Sequence, residues 1–216
     1  MASAKEKYSA AEFKKALEVL DAEMGKSKNL RKMSPLRMIS AGGFVAVSVF
    51  GNRSSTEDID YILDPELKDL PKAEKKLSIA IEEAADQLRI GKNWINDSMA
   101  VFTVGENRKT LFRQSIQQNE ILFQGKHIII YAVKWQWALT RKLIRLGSNV
   151  KGDRDPDIDL SDSVALARRI VQQNGAPLKR DVIKGWTENI YTPIEDEVLD
   201  QVAAEYVRKY GTQGII

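Results

Sequence analysis

The 216-residue chain has no cysteine and a single histidine, His127. Disulfides and zinc–thiolate sites are excluded, as is any site that needs several imidazoles. No apolar run reaches the roughly 20 residues that a membrane-spanning helix requires. The opening Met1-Ala2-Ser3-Ala4-Lys5-Glu6-Lys7 is polar and lacks the apolar core of a signal peptide. An intracellular, cytoplasmic protein with no membrane partner is expected. An excess of one charge is missing too: 33 Lys and Arg stand against 30 Asp and Glu, leaving +3. That balance neither demands nucleic acid nor hinders phosphate-bearing ligands. There is no aromatic stacking platform and no strong basic stripe to read RNA. Repeats and low-complexity tracts are also absent. Hydrophobic residues make up 43%, enough for one domain with a core, or a core domain plus a helical extension.

The most informative stretch runs from Ile39 to Leu63. Its pattern predicts a strand, the glycine pair Gly42-Gly43, a short helix, a polar loop over Asn52–Glu57, and a second strand opening with Asp58-Ile59-Asp60. Strand side chains alternate faces, so Asp58 and Asp60 point the same way. Two carboxylates on one face repel unless a cation or proton separates them. Hard oxygen ligands of this kind suit Mg²⁺, which takes one or two carboxylates and leaves its other positions to water and phosphate oxygens. Without Cβ atoms, Gly42 and Gly43 let the backbone approach a ligand closely, at a helix start whose N–H groups favour an anion. The plainer alternative is a solvated strand edge and an ordinary turn.

This order of Gly42-Gly43 and then Asp58-Ile59-Asp60 resembles the nucleotidyltransferase superfamily, the polymerase-beta-like fold. The Arg53–Thr56 loop is similar to the Arg-x-Thr segment of its minimal, toxin-like members, with one extra residue before Asp58. The core match covers about 25 residues, with weaker similarity to Asp162. The resemblance implies an α+β fold, a nucleotidyltransferase-like mixed sheet flanked by helices, with a C-terminal helical extension. It implies Mg²⁺ (or Mn²⁺) at Asp58 and Asp60, and a nucleoside triphosphate whose phosphates lie at Gly42 and Gly43. Arg53 then contacts a phosphate or the acceptor; its alternative is a salt bridge with Glu57. Many members also carry a third catalytic carboxylate on a neighbouring strand. Glu120 is the only acid in the hairpin expected downstream, and is taken as that third acid.

On either side of this stretch the chain is mostly helical in pattern. Ser9-Ala10-Ala11-Glu12 is a capping box, followed by Phe13, Ala16, Leu17, Leu20 and Met24 at helical spacing, with Gly25 as the stop. Lys26–Pro35 reads as a solvated basic connector. Pro71 opens a long helix with Leu77, Ala80, Ile81, Ala84 and Leu88 inward, and with its flanking strands it makes a βαβ-like unit. In Asn93-Trp94-Ile95-Asn96-Asp97, also similar to a segment of the toxin-like members, Trp94 is a core residue. Asn96 and Asp97 either cap a turn or line the cleft, with Asn96 as a nucleotide contact. Val101–Val104 reads as a short strand, Leu111–Ile116 as extended or helical, and Glu120–Tyr131 as a hairpin turning at Gln124-Gly125-Lys126.

From about Lys134 to Leu146, Trp135, Ala138, Leu139, Leu143 and Leu146 share one helical stripe, and Lys142 sits inside it. A lysine on a buried face needs an anion, must lose its proton, or must snorkel to water. Carboxylates or a polyphosphate would serve; the resemblance places such a residue near the triphosphate, and this role goes to Lys142. The acidic stretch from Asp153 is not a calcium loop, because Ile158 stands where glycine is obligatory and Val164 where a bidentate glutamate belongs. It leads into a helix, and Asp159 and Asp162 are expected to brace the lysine-bearing one. Asp181–Trp186 is a further short helix, and Thr192-Pro193-Ile194-Glu195 a second capping box.

The expected organisation is a core over 1–150 and a helical extension over 151–216 packed on it, the latter able to mediate homo-oligomerisation. Two functions fit. One is transfer of a nucleotidyl group to the hydroxyl of an acceptor of unstated class, small molecule, RNA or protein. The other is a catalytically degenerate module that binds a nucleotide or a protein partner.

Overall fold

The computed structural model describes residues 6–148, 155–186 and 192–216. Asp153 and Arg154, in the acidic stretch, lie outside the described residues. The chain forms two compact units, Met1–Val133 and Lys134–Ile216. The lysine-bearing helix therefore belongs to the second unit, not to the unit that holds the glycine pair.

The first unit opens with α1 (Ala10–Lys26) and α2 (Lys28–Met33). Ser9 and Glu12 form the expected capping box, and Phe13, Ala16, Leu17, Leu20 and Met24 are buried. The helix does not stop at Gly25: it runs to Lys26, and Ser27 then caps α2 by accepting from the Leu30 amide at 3.4 Å. The presumed connector is thus partly helical, anchored by buried Leu30.

Five strands follow: β1 (Leu36–Ala41), β2 (Ile59–Leu63), β3 (Ile95–Asn96), β4 (Ile121–Gln124) and β5 (Ile128–Ala132). They form one mixed sheet in the order β3-β2-β1-β5-β4. β1 lies antiparallel to β2 and parallel to β5. Between β1 and β2 the chain makes α3 (Gly43–Val45) and a π-helical turn over Ala46–Phe50. β2, α4 (Leu70–Leu88) and β3 make the expected βαβ unit, with β2 and β3 parallel. The inward face of α4 joins that of α1 in the core, together with Trp94 and the inner residues of β1, β2 and β5. The fold is α+β, a mixed sheet flanked by helices, with further helices at the C-terminal end.

Two segments differ from the sequence pattern. Val101–Val104 is not a strand; a 3₁₀ turn spans Ser98–Phe102, and Val101, Phe102 and Val104 are exposed. The undecided Leu111–Ile116 is helical, within α5 (Gly105–Gln118).

The second unit contains α6 (Trp135–Gly147), α7 (Pro156–Asn174), α8 (Arg180–Gly185) and α9 (Asp196–Tyr210). α9 starts three residues after Pro193, and no side chain caps it, so the second capping box does not form. Val198, Val202 and Tyr206 are its buried stripe, as their spacing predicts. Among the described residues no helix is long and apolar enough to cross a membrane.

Asp21 of α1 fastens the β4–β5 turn. Its carboxylate accepts from three consecutive amides, Lys126 at 3.1 Å, His127 at 2.7 Å and Ile128 at 3.1 Å. Asp21→Ala strips the acceptor from all three, and a loss of about 1–3 kcal/mol is expected in urea denaturation. An unchanged midpoint would show that the three bonds add nothing.

Candidate functional site

Strand register assembles the site. Ala41, the last residue of β1, pairs with Asp60 of β2. The Ser40 hydroxyl donates to the Asp60 carbonyl at 2.7 Å and fixes that register from the side. The chain then turns at Gly42, where φ is +75°, a conformation that an L side chain rarely adopts. A Cβ at Gly42 would lie 3.6 Å from Asp60 Oδ2. The bare Gly42 backbone and the Asp60 carboxylate are therefore neighbours.

Gly43 is glycine for another reason. A Cβ there would run into the Thr56 side chain. Thr56 is held in turn by paired backbone bonds with Tyr8, 2.7 Å and 3.0 Å. The polar loop carrying half-buried Arg53 is thus pinned between the chain's start and the glycine pair.

Asp58 stands just before β2, on the same face as Asp60 by alternation. The parallel register sets Asn96 of β3 beside Asp60. The Asn96 amide donates to Asp58 Oδ2 at 3.0 Å, and its carbonyl accepts from the Ser98 amide at 2.9 Å. Asn96 therefore both caps the following turn and holds the Asp58 carboxylate. Asp97 does not cap that turn with its side chain. Glu57, Asp58, Asn96, Asp97, Arg89 and Trp94 are among the residues lining a cleft of about 950 Å³. Burial pushes the neighbouring Tyr61 phenol well above its ordinary value, and the Asp97 charge adds to this, so Tyr61 stays neutral.

Glu120 lies elsewhere on the sheet. It directly precedes β4, and its carbonyl accepts from the Ala132 amide at 2.8 Å. β1 and β5 stand between β2 and β4. Three strand spacings of about 4.8 Å put Glu120 about 14 Å from Asp60. The strand that does neighbour β2 on its other side is β3, and the carboxylate at its end is Asp97.

Lys142, on α6 in the second unit, is buried, at 6% exposure. Its ammonium donates to Asp159 at 3.0 Å and to Asp162 at 2.5 Å, both on α7. Arg145 adds two bonds to Asp159, at 2.6 Å and 2.5 Å. The two aspartates brace the lysine-bearing helix as expected, and they supply the anion that buried Lys142 requires. Burial pushes the Lys142 ammonium down from the usual lysine value, against the pull of Asp162. Burial also works to raise the Asp159 carboxyl, but the Arg145 bonds and the Lys142 charge outweigh it and hold it below the usual carboxylate range.

Among the described residues no group of three or more His, Cys, Asp or Glu is arranged to hold a metal ion. Two carboxylates nevertheless fit Mg²⁺, which fills its remaining octahedral positions with water and phosphate oxygens. Asp58 and Asp60 on one face, with Asn96 steadying the first, are such a pair.

A family model described as Domain of unknown function (DUF7582) matches residues 12–213 and so runs through both units. No curated protein and no solved structure matches the chain.

Two substitutions test the packing beneath these side chains. Gly43→Ala is expected to cost about 1–3 kcal/mol by overpacking against Thr56, with Thr56→Gly in the same chain recovering most of it. Lys142→Met removes the buried ammonium that both Asp159 and Asp162 accept from, and a loss of about 3–5 kcal/mol is expected by denaturant titration. The Asp159 contribution has a definite sign with pH. A carboxyl held low in the folded state stabilises above its unfolded value and loses that stability as pH falls through the folded one. Asp159→Asn should therefore flatten the acid limb of the stability profile.

Proposed function

We propose that this chain, which belongs to the family described as Domain of unknown function (DUF7582), is a metal-dependent nucleotidyltransferase whose site lies in its first unit. The observation that carries this is the β1–β2 register, which sets the Gly42 backbone against the Asp60 carboxylate with Asp58 on the same face and a cleft alongside. Asp58 and Asp60 would hold Mg²⁺ or Mn²⁺, which when bound supplies positive charge to phosphate oxygens. Gly42 and Gly43 offer backbone to the phosphates of a nucleoside triphosphate, with Arg53 in the adjoining loop. Asn96 fixes the rotamer of Asp58. The acceptor hydroxyl oxygen bonds to the α-phosphorus, the bond to the bridging oxygen breaks, and pyrophosphate leaves. The hydroxyl proton passes to a carboxylate of the cleft. Asp97 takes this role better than Glu120, because it shares the cleft with Asp58. Such catalysis is chiefly positioning and electrostatics. It requires nothing of Lys142, whose charge is met by Asp159 and Asp162. A cytoplasmic address belongs to the same proposal.

A second function is favoured by one observation: the strand residue beside Asp60 is an amide, Asn96, rather than an acid. A module that binds the nucleotide without turnover would need no third carboxylate.

The two separate in one experiment. The full chain is incubated with labelled nucleoside triphosphates, Mg²⁺ or Mn²⁺, and acceptors that include RNA, total protein and small alcohols. Transfer that falls about 100-fold or more in Asp58→Asn is the expected result. Thermal stabilisation by the metal–nucleotide complex without any transfer would establish the binder and overturn the enzyme.

A further inference from the structure

We propose that a second cavity of the first unit binds a small apolar carboxylate, a single ring with a short acidic chain, and that this occupant regulates the site beside it. Only the regulation rests on the transferase proposal; the binding stands on the cavity itself.

The cavity measures about 190 Å³ and lies where α1 passes the end of α4 and the entry to β3. Tyr8, Phe13, Ala16, Leu88, Ile90 and Trp94 make up most of its wall. Its size selects the ligand. Drug-sized molecules occupy about 300–1,000 Å³, whereas an apolar cavity of about 150 Å³ accepts benzene. A nucleotide is therefore too large, and one ring with a few methylenes fits.

Two charged residues complete the lining, Glu12 and Lys15, both exposed on the first turns of α1. They are not equivalent. The Glu12 carboxylate accepts from the Ser9 amide at 2.8 Å and from the Ser9 hydroxyl at 2.7 Å, which closes the capping box. Lys15 makes no ion pair among the described residues. An uncommitted ammonium beside an apolar wall suits a molecule that carries an anion on an apolar body.

The wall is tied to both halves of the candidate site. Tyr8 is paired through its backbone with Thr56, whose side chain lies against Gly43. Phe13 meets Phe44, the residue after Gly43, edge to face with 5.4 Å between ring centres. The Trp94 carbonyl accepts from the Ile59 amide at 2.9 Å, and Ile59 stands between Asp58 and Asp60. Packed interiors transmit strain. A guest that presses on Tyr8, Phe13 or Trp94 thus acts on the glycine pair and on the carboxylate pair together.

Three probes separate ring from charge: 3-phenylpropanoate, 3-phenyl-1-propanol and propanoate. Each is titrated into the full chain by amide NMR, without metal or nucleotide. The acid should bind about fivefold tighter than the alcohol, the most that an exposed charge pair supplies, and propanoate should show no saturable binding. The Thr56 and Ile59 amides should shift on the same curve as those of Ala16 and Ile90. Lys15→Gln should erase the advantage of the acid while both ring compounds still bind. Ala16→Leu should abolish both by filling the cavity. Should that core variant not fold, Lys15→Gln at its exposed position decides alone. No saturable binding of either ring compound, equal binding of acid and alcohol to the parent chain, or an advantage of the acid that survives Lys15→Gln each overturns the site. Binding that leaves Thr56 and Ile59 unmoved overturns the link. With the link in place, saturating 3-phenylpropanoate should change the rate of nucleotidyl transfer at least threefold. Transfer indifferent to the bound acid would reject the regulation and spare the transferase. Binding and shifts without any transfer would do the reverse, rejecting the transferase and leaving the site.

Discussion

The site depends on one pairing, Ala41 of β1 against Asp60 of β2. β1 has an antiparallel neighbour on one side and a parallel one on the other. The antiparallel side brings the end of one strand to the start of the next, so a glycine turn and a pair of carboxylates meet. A slip of one residue would turn Asp58 and Asp60 to the opposite face. The Ser40 hydroxyl on the Asp60 carbonyl, and the packing of Ile59, Tyr61 and Leu63 into the core, resist that slip. β2 then hands its register to β3, and Asn96 arrives beside Asp60 with its amide on Asp58.

What was legible in the sequence is what local chemistry determines. The capping box at Ser9 and Glu12, the inward stripe of α4, the βαβ unit and the hairpin all follow from spacing within one element or between neighbours. Gly42 and Gly43 are visible as a pair in the sequence, whereas their separate reasons, a positive φ at Gly42 and room for Thr56 at Gly43, belong to the folded chain. The α2 helix leaves no periodic trace in the sequence because it has six residues and one buried side chain. Val101-Phe102-Thr103-Val104 has the composition of a strand, yet forms a turn that leaves Val101, Phe102 and Val104 exposed; composition reports preference, not pairing. Glu120 is the acid that the sequence offers for a neighbouring strand, but strand order is a global property that no local pattern carries. The sheet gives that neighbouring position to Asn96 and the adjacent carboxylate to Asp97. The Asn96–Asp58 bond joins residues 38 apart and could not be read from either.

The second unit follows a different logic. Helical spacing predicted that Lys142 faces inward, and electrostatics required an anion beside it. Asp159 and Asp162 satisfy that requirement one helix away, and Arg145 balances the second aspartate charge. A cluster with two acids and two bases keeps the interior neutral, and its worth is geometric: it fixes how α6 and α7 meet. A charge so fully engaged is a structural element of its own unit, and the chemistry proposed for the first unit draws on carboxylates and backbone there.

The central claim concerns where a metal and a triphosphate bind, and one measurement addresses it directly. A crystal of the full chain, soaked with Mg²⁺ and a non-hydrolysable nucleoside triphosphate, is predicted to show the ion coordinated by Asp58 and Asp60 and by phosphate oxygens, with the phosphates against the Gly42-Gly43 backbone. Nucleotide held elsewhere, or a metal that leaves both aspartates bare, would contradict the account.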